Sequence, residues 1–215
     1  MAVGFYHLRR TRYGMGDGFF VVVALGDSLT AGYRMRDPYA IDPRAPYPAQ
    51  LETLLREKFR GKKQAFVVNA GVNGESTEGM LWRFSLAVIA EKPDAVIVWG
   101  GINDLGAARD PEQVMGNLAK LYESCREIGA TPVACTLTPT RRTNPNMRRL
   151  NDMISAHASE KGLILADLFP GLADTEGNLR QEYSDDGAHL TQAGYRRVAE
   201  IILHALTPLI AEREP

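Results

Sequence analysis

Short apolar segments alternate along the chain with longer segments in which hydrophobic and polar positions recur with helical spacing. The apolar segments are rich in Val, Ile and Leu and nearly continuous, which is typical of parallel strands that are covered on both faces. They predict five strands, over residues 19–25, 65–69, 95–99, 131–137 and 163–168.

The amphipathic segments predict helices between and after these strands. The predicted helices cover residues 47–59, 76–90, 111–128, 146–161 and a final segment that begins near Thr191. Pro111 suits a first helical turn, Gly129 follows the end of the same helix, and Thr191 is a favourable N-cap. A strand followed by a helix five times over predicts an α/β fold, a parallel sheet wrapped as a three-layer α/β/α sandwich.

In a fold of this kind, the loops that leave the carboxyl ends of the strands carry the chemistry. The first such loop reads Gly26-Asp27-Ser28. Ser28 is expected at the start of a helix, where free N–H groups and the helix dipole favour negative charge, so that its hydroxyl can attack a carbonyl and its own N–H can receive the oxyanion. The alternative is that Ser28 is simply an N-cap.

The loops after the second and third strands offer further hydrogen-bond donors. Gly71 and Gly74 precede a helix start and allow the backbone to approach a ligand, although Ser76 or Thr77 as a helix cap explains the same loop. Asn103 follows the third strand, where its amide can donate into the same pocket or merely form an Asx turn.

Near the end of the chain, Asp186 and His189 are three residues apart. One helical-type turn places both side chains on the same side. A carboxylate held against an imidazole fixes its tautomer and stabilises the imidazolium that forms in catalysis. A serine, donor loops and an Asp/His pair together make up the inventory of an acyl-transfer site.

Four blocks in the chain resemble the SGNH hydrolase (GDSL-type esterase/lipase) family. They are Gly26-Asp27-Ser28-Leu29, then Gly74 followed by an acid and Ser/Thr, then Gly101-Ile102-Asn103-Asp104, and last Asp186-Gly187-Ala188-His189. All four stand in the family's order, and the first is similar to that of the thioesterase I/lysophospholipase L1 group. Leu190, after the last block, departs from the family's usual proline.

The resemblance implies a flavodoxin-like sheet of order 2-1-3-4-5, without metal or cofactor. It implies Ser28, Asp186 and His189 as a catalytic triad, and the N–H groups of Ser28 and Gly74 with the Asn103 amide as an oxyanion hole. The expected activity is serine-dependent hydrolysis of carboxylic esters and thioesters through an acyl-enzyme.

Residues near the nucleophile bear on the size of the acyl group that the site accepts. Five side chains near the nucleophile either wall a groove for an acyl chain or pack as loop core: Tyr33, Met35, Tyr39, Ile41 and Tyr47. The alternative substrate class is acetylated carbohydrate, whose short acyl group needs a small pocket.

Two other classes of protein are disfavoured. An α/β-hydrolase is disfavoured because no G-x-S-x-G motif occurs. A catalytically silent binding module is disfavoured because it would be expected to lack at least one site residue, and all of them are present in this sequence.

Composition adds bounds on location and partners. The length of 215 residues predicts one domain, over residues 18–215, after an N-terminal arm of residues 1–17. The net charge of −1 indicates that the chain does not bind nucleic acid, and we expect a small-molecule ester as its partner. The apolar run 19–25 is too short to span a bilayer, and no signal peptide is expected, which favours the cytoplasm. Cys125 and Cys135 are expected as buried thiols. The oligomeric state stays open.

Overall fold

The computed structural model describes residues 19–34, 44–60 and 64–212. Its sheet has five parallel strands in the spatial order β2-β1-β3-β4-β5. The strands are β1 (Phe19–Gly26), β2 (Gln64–Gly71), β3 (Ala95–Trp99), β4 (Thr131–Cys135) and β5 (Ile164–Ala166). The α/β class and the flavodoxin-like order are therefore confirmed.

Helices cover both faces of this sheet. They are α1 (Ser28–Ala31), α2 (Tyr47–Phe59), α3 (Thr77–Ala87), α4 (Ile102–Gly106), α5 (Pro111–Glu127), α6 (Pro145–Lys161), α7 (Leu168–Leu172) and α8 (Gln192–Glu212). Helix α2 packs with α8, whereas α5 packs with both α3 and α6. Among the helices of the described ranges, none is both long and apolar enough to cross a membrane.

The core lies where the sequence pattern is most apolar. Residues 22–25 of β1 and all of β3 are buried, as expected for central strands covered on both faces. Helix α8 buries Val198, Ile202 and Leu206 completely. Thr191 caps this helix, since its hydroxyl accepts the Gly194 N–H at 3.3 Å.

The prediction is wrong at the end of the fifth strand. The apolar run continues to Leu168, but β5 ends at Ala166 and α7 begins two residues later. The hydroxyl of Thr136, on the neighbouring chain segment after β4, accepts the backbone N–H groups of Leu168 at 2.8 Å and Phe169 at 3.2 Å. It thereby satisfies donors that a helix start leaves open, which favours a helical turn over further strand.

The second predicted helix, over residues 76–90, is also too long. Helix α3 ends at Ala87, and a short 3₁₀ turn over Ile89–Glu91 follows it. The predicted N-terminal arm, residues 1–17, lies outside the described residues, so the division into an arm and a single domain stays a prediction.

Both cysteines are free and buried, which confirms the expected thiols. Burial raises the pKa of the Cys125 thiol to about 12, and burial also raises that of Cys135. Both thiols are therefore protonated and unreactive at neutral pH.

Candidate active site

The turn that carries Ser28 is built on close backbone packing. A Cβ at Gly26 would lie 2.1 Å from the Thr30 hydroxyl and 2.6 Å from the Trp99 carbonyl oxygen, so that a larger residue would force the turn apart. Asp27 caps α1, since its carboxylate accepts the Leu29 N–H at 2.9 Å. The alternative that Ser28 is itself the cap is wrong, and its hydroxyl is left for other partners.

The hydroxyl of Ser28 meets the ring of His189. The Ser28 Oγ to His189 Nε2 distance is 3.2 Å, and His189 Nδ1 lies 2.7 Å from Asp186 Oδ2. An ionised carboxylate only accepts hydrogen bonds, so this contact assigns the ring proton to Nδ1 and leaves Nε2 free to accept from the hydroxyl. The structure therefore brings together the three side chains expected as a triad, across 161 residues of sequence.

Backbone hydrogen bonds hold the acid and the imidazole in place. Asp186 Oδ1 accepts the N–H groups of Ala188 and His189, each at 2.8 Å. The buried Ser184 hydroxyl donates to the His189 carbonyl at 2.6 Å and accepts the Gly187 N–H at 2.8 Å. Sequence reasoning did not single out Ser184, because a serine two residues before a motif carries no signal of its own.

These bonds also set the charge on Asp186. Partial burial raises its pKa, but the hydrogen bonds from the His189 ring and from the two backbone N–H groups outweigh burial, so the pKa lies below its ordinary value. Asp186 is therefore ionised at neutral pH and able to stabilise an imidazolium at position 189.

The backbone N–H groups of Ser28 and Gly74 have no protein acceptor in the described part of the chain. Gly74 has a φ of +75°, in the region that favours glycine. In contrast, the Gly71 N–H donates to the Asn69 side chain at 3.0 Å. Open donors are what an oxyanion hole requires, so this difference favours Gly74 over Gly71.

Asn103 connects the third loop to the second. Its Nδ2 donates to the Glu75 carbonyl at 3.0 Å, so the amide bridges two loops instead of forming an Asx turn. A primary amide has two N–H donors, and one remains for an oxyanion. The role of Asn103 in binding one stays a prediction.

The sheet register gathers these loops at one edge. Gly26 pairs with Gly71 on one side and with Trp99 on the other, so that the three strands end level. The Val72 N–H then donates to the Gly26 carbonyl at 3.0 Å. The loop after β2 is thereby fastened to the turn that carries the serine.

The last residue of the Gly101–Asp104 block is a structural link that sequence reasoning missed. Asp104 is fully buried, and its two oxygens accept the backbone N–H of Thr77 at 2.9 Å and the Thr77 hydroxyl at 3.0 Å. The Asn117 amide donates to the same hydroxyl at 3.1 Å. Asp104 therefore holds the start of α3, directly after the loop that carries Gly74.

Of the side chains expected to wall a groove, Tyr33 lies at the site. Its ring centroid is 4.6 Å from that of His189, and the Tyr195 hydroxyl donates to the Tyr33 carbonyl at 2.7 Å. Tyr47 is fully buried against Trp99 and is therefore core, not a groove wall. The other three, Met35, Tyr39 and Ile41, lie outside the described residues.

Asp27 places a second titratable carboxyl beside the nucleophile. It is 1% exposed. Burial raises its pKa from 3.8 to about 6, against the opposing effects of the Leu29 N–H and of nearby His189. No cluster of three metal-ligating His, Cys, Asp or Glu side chains occurs within the described ranges.

Comparison with known proteins shows the family to which this chain belongs. Residues 24–197 match the model of the GDSL-like Lipase/Acylhydrolase family. The chain belongs to this family. The resemblance in the four sequence blocks is thereby confirmed, and the matched region contains Ser28, Gly74, Asn103, Asp186 and His189.

Relatives of this GDSL-type chain carry several names. It is 29% identical over 194 residues to thioesterase 1/protease 1/lysophospholipase L1 of Escherichia coli (strain K12), covering 88% of this chain and 84% of that one. It is 27% identical over 156 residues to platelet-activating factor acetylhydrolase IB subunit alpha1 of Bos taurus, covering 67% of this chain but 65% of that subunit, just under two thirds. The fold is similar to that of the acetyl xylan esterase AlAXEase, with a TM-score of 0.72 at 20% identity over 87% of this chain and all of that one.

Proposed function

We propose that this chain is a serine-dependent hydrolase of carboxylic esters and thioesters that works through an acyl-enzyme on Ser28. The observation that carries the proposal is the unbroken hydrogen-bond chain from Ser28 Oγ to His189 Nε2 and from Nδ1 to Asp186, at 3.2 and 2.7 Å. Membership of the GDSL-like family and relatives named thioesterase and acetylhydrolase support it.

In the acylation step, His189 Nε2 takes the Ser28 proton while Oγ forms a bond to the substrate carbonyl carbon. The carbonyl oxygen becomes an oxyanion that accepts hydrogen bonds from the N–H groups of Ser28 and Gly74 and from the second N–H of the Asn103 amide. The bond to the leaving oxygen or sulfur then breaks, and the imidazolium returns its proton to the leaving alcohol or thiol.

In the deacylation step, water replaces the alcohol. His189 removes a proton from the water as its oxygen attacks the acyl carbon, and the same donors bind the second oxyanion. The bond to Ser28 Oγ breaks, the hydroxyl regains its proton from the imidazolium, and the carboxylic acid leaves. Asp186 stays ionised in both steps and holds the ring so that Nε2 faces the serine.

The direct test is covalent labelling with a fluorophosphonate, together with hydrolysis of p-nitrophenyl acetate. We expect Ser28→Ala to abolish labelling and to lower kcat by about 10⁶-fold, as for other triad serines. The control is Ser85→Ala, since Ser85 is exposed on α3 and belongs to none of the four blocks. Normal hydrolysis by Ser28→Ala would refute the proposal.

A substrate panel addresses the acyl group. Tyr47 lies in the core against Trp99, whereas the ring of Tyr33 contacts that of His189. Of the expected groove residues that the structure describes, Tyr33 is therefore the one beside the triad. We retain esters and thioesters with longer acyl chains as the main substrate class, and acetylated carbohydrate as the alternative. Rates on C2 to C12 p-nitrophenyl esters, measured beside an acetylated xylo-oligosaccharide, separate the two classes. A cytoplasmic location and the absence of nucleic-acid partners stay predictions.

A further inference from the structure

An arginine outside the four sequence blocks connects the first two of them. Arg83 lies in the second turn of α3, and its side chain is only 21% exposed. Its Nε and Nη2 donate to the two carboxylate oxygens of Glu75, both at 2.5 Å, and Nη2 also donates to the Ala70 carbonyl at 2.7 Å and the Gly26 carbonyl at 3.3 Å. One guanidinium thus binds the ends of β1 and β2 and the loop that leaves β2.

Two of these three acceptor residues adjoin groups of the proposed mechanism. Gly26 ends β1 and is followed by Asp27 and Ser28. Glu75 follows Gly74, whose N–H is a proposed oxyanion donor, and the Glu75 carbonyl receives the Asn103 amide. A shift of Glu75 would therefore move two of the three proposed donors together.

The loop itself has little packing to hold it. Residues 72–74 are exposed, and a Cβ built at Gly74 would meet no atom within 4 Å. Side-chain packing therefore cannot fix the direction of the Gly74 N–H. The side chain of Glu75, 10% exposed and held by both oxygens, supplies a fixed point directly beside it.

The chemistry of the Arg83–Glu75 ion pair suits it to holding neighbouring groups in a fixed position. A guanidinium is planar and always charged, and its fork fixes both the distance and the plane of a carboxylate. A lysine presents a point charge and cannot reproduce this geometry. A largely buried ion pair adds little net stability over apolar residues, so its presence here is better explained by positioning.

We propose that Arg83 and Glu75 are positioning residues for the oxyanion hole: Arg83 holds Glu75, and Glu75 sets the directions of the Gly74 N–H and the Asn103 amide. This inference rests on the proposed function. Neither side chain is assigned contact with the substrate, and both act on the transition state through the backbone and through Asn103.

The chain contains a matched control pair on α2. Arg56 bonds Glu52 at 2.8 Å, and the two side chains also bond the β2 backbone, Arg56 to the Ala65 carbonyl and Glu52 to the Val67 N–H. This pair is of the same chemical kind and holds the same strand. It contacts β2 before its carboxyl end, away from the loop that carries Gly74.

The experiment compares Arg83→Lys and Glu75→Gln with Arg56→Lys and Glu52→Gln. Active sites are first counted by fluorophosphonate titration, so that kcat refers to competent enzyme. We expect both site variants to lose about ten- to a hundredfold in kcat with KM changed less than twofold, because a small misplacement of catalytic groups costs rates of this size. The inhibition constant of a boronic acid that forms a tetrahedral adduct on Ser28 should rise by the same factor. Both α2 variants should keep the wild-type kcat.

A double-mutant cycle separates positioning from loss of folded protein. If Arg83 acts through Asn103, the effect of Arg83→Lys on kcat should shrink in an Asn103→Ala background. Unchanged kcat per titrated site in Arg83→Lys and Glu75→Gln would overturn the inference, as would equal losses in the α2 variants. A wild-type chain with neither labelling nor hydrolysis would instead refute the proposed function.

Discussion

Asp27, the buried carboxyl beside the nucleophile, makes the stability of this protein depend on pH with a definite sign. Its pKa is about 6 in the folded chain against an ordinary value of 3.8. As pH rises, the unfolded chain loses this proton first, so the folded state is penalised progressively between about pH 3.8 and 6. Asp27→Asn removes the titration and keeps an oxygen that can accept the Leu29 N–H.

The magnitude follows from the displacement of the pKa. A pKa raised from 3.8 to about 6 lowers the free energy of unfolding by about 3 kcal/mol at high pH. About 2 kcal/mol of this loss develops between pH 4.5 and 7.5. We therefore expect the free energy of unfolding of Asp27→Asn, relative to that of the wild type, to rise by about 2 kcal/mol between pH 4.5 and pH 7.5. For a chain of this size the gain corresponds to a relative rise in Tm of about 4–8 °C.

The assay is urea unfolding of both proteins at pH 4.5 and 7.5, with thermal unfolding as a second measure. Asp110→Asn is the control, because Asp110 also caps a helix through its side chain but is fully exposed. Hydrogen bonding to Glu112 lowers the pKa of Asp110 below 3.8, so Asp110 is already almost fully ionised at pH 4.5 in both the folded and the unfolded chain. The stability of Asp110→Asn relative to the wild type should therefore hardly change between pH 4.5 and 7.5. A stability difference between Asp27→Asn and the wild type that is the same at both pH values would refute the reasoning.

Three further outcomes are expected. Asn103→Ala should lower kcat by about 10²–10³-fold, since it removes an oxyanion donor, and a loss below threefold in steady-state kinetics would exclude that role. Asp186→Asn should lower kcat by about 10⁴-fold with little change in KM, because the ring of His189 loses the partner that fixes its tautomer; a fully active variant would contradict the triad. Iodoacetamide at pH 8 should leave Cys125 and Cys135 unmodified in the folded protein and alkylate both in urea, as read by mass spectrometry.

The local parts of the site could be predicted from the sequence because each is a short segment after a strand. The Gly26–Ser28 turn, the Gly101–Asp104 block and the Asp186/His189 pair all show their spacing directly. The helix over Tyr47–Phe59 matches its prediction at both ends, since apolar spacing and turn residues bound it clearly. The strand order came from the resemblance to a family, because hydrophobic periodicity carries no information about which strands are neighbours.

The sequence by itself determined the alternation of strands and helices and the residue types that the chemistry requires. The tertiary structure decided which of them meet: Ser28 with His189 across 161 residues, Asn103 with Glu75 across 28, and Arg83 with the ends of two strands. It also decided the raised pKa of Asp27, because that shift arises from burial. Burial and long-range contact depend on how strands align at one sheet edge, a property of the folded chain that no local pattern encodes.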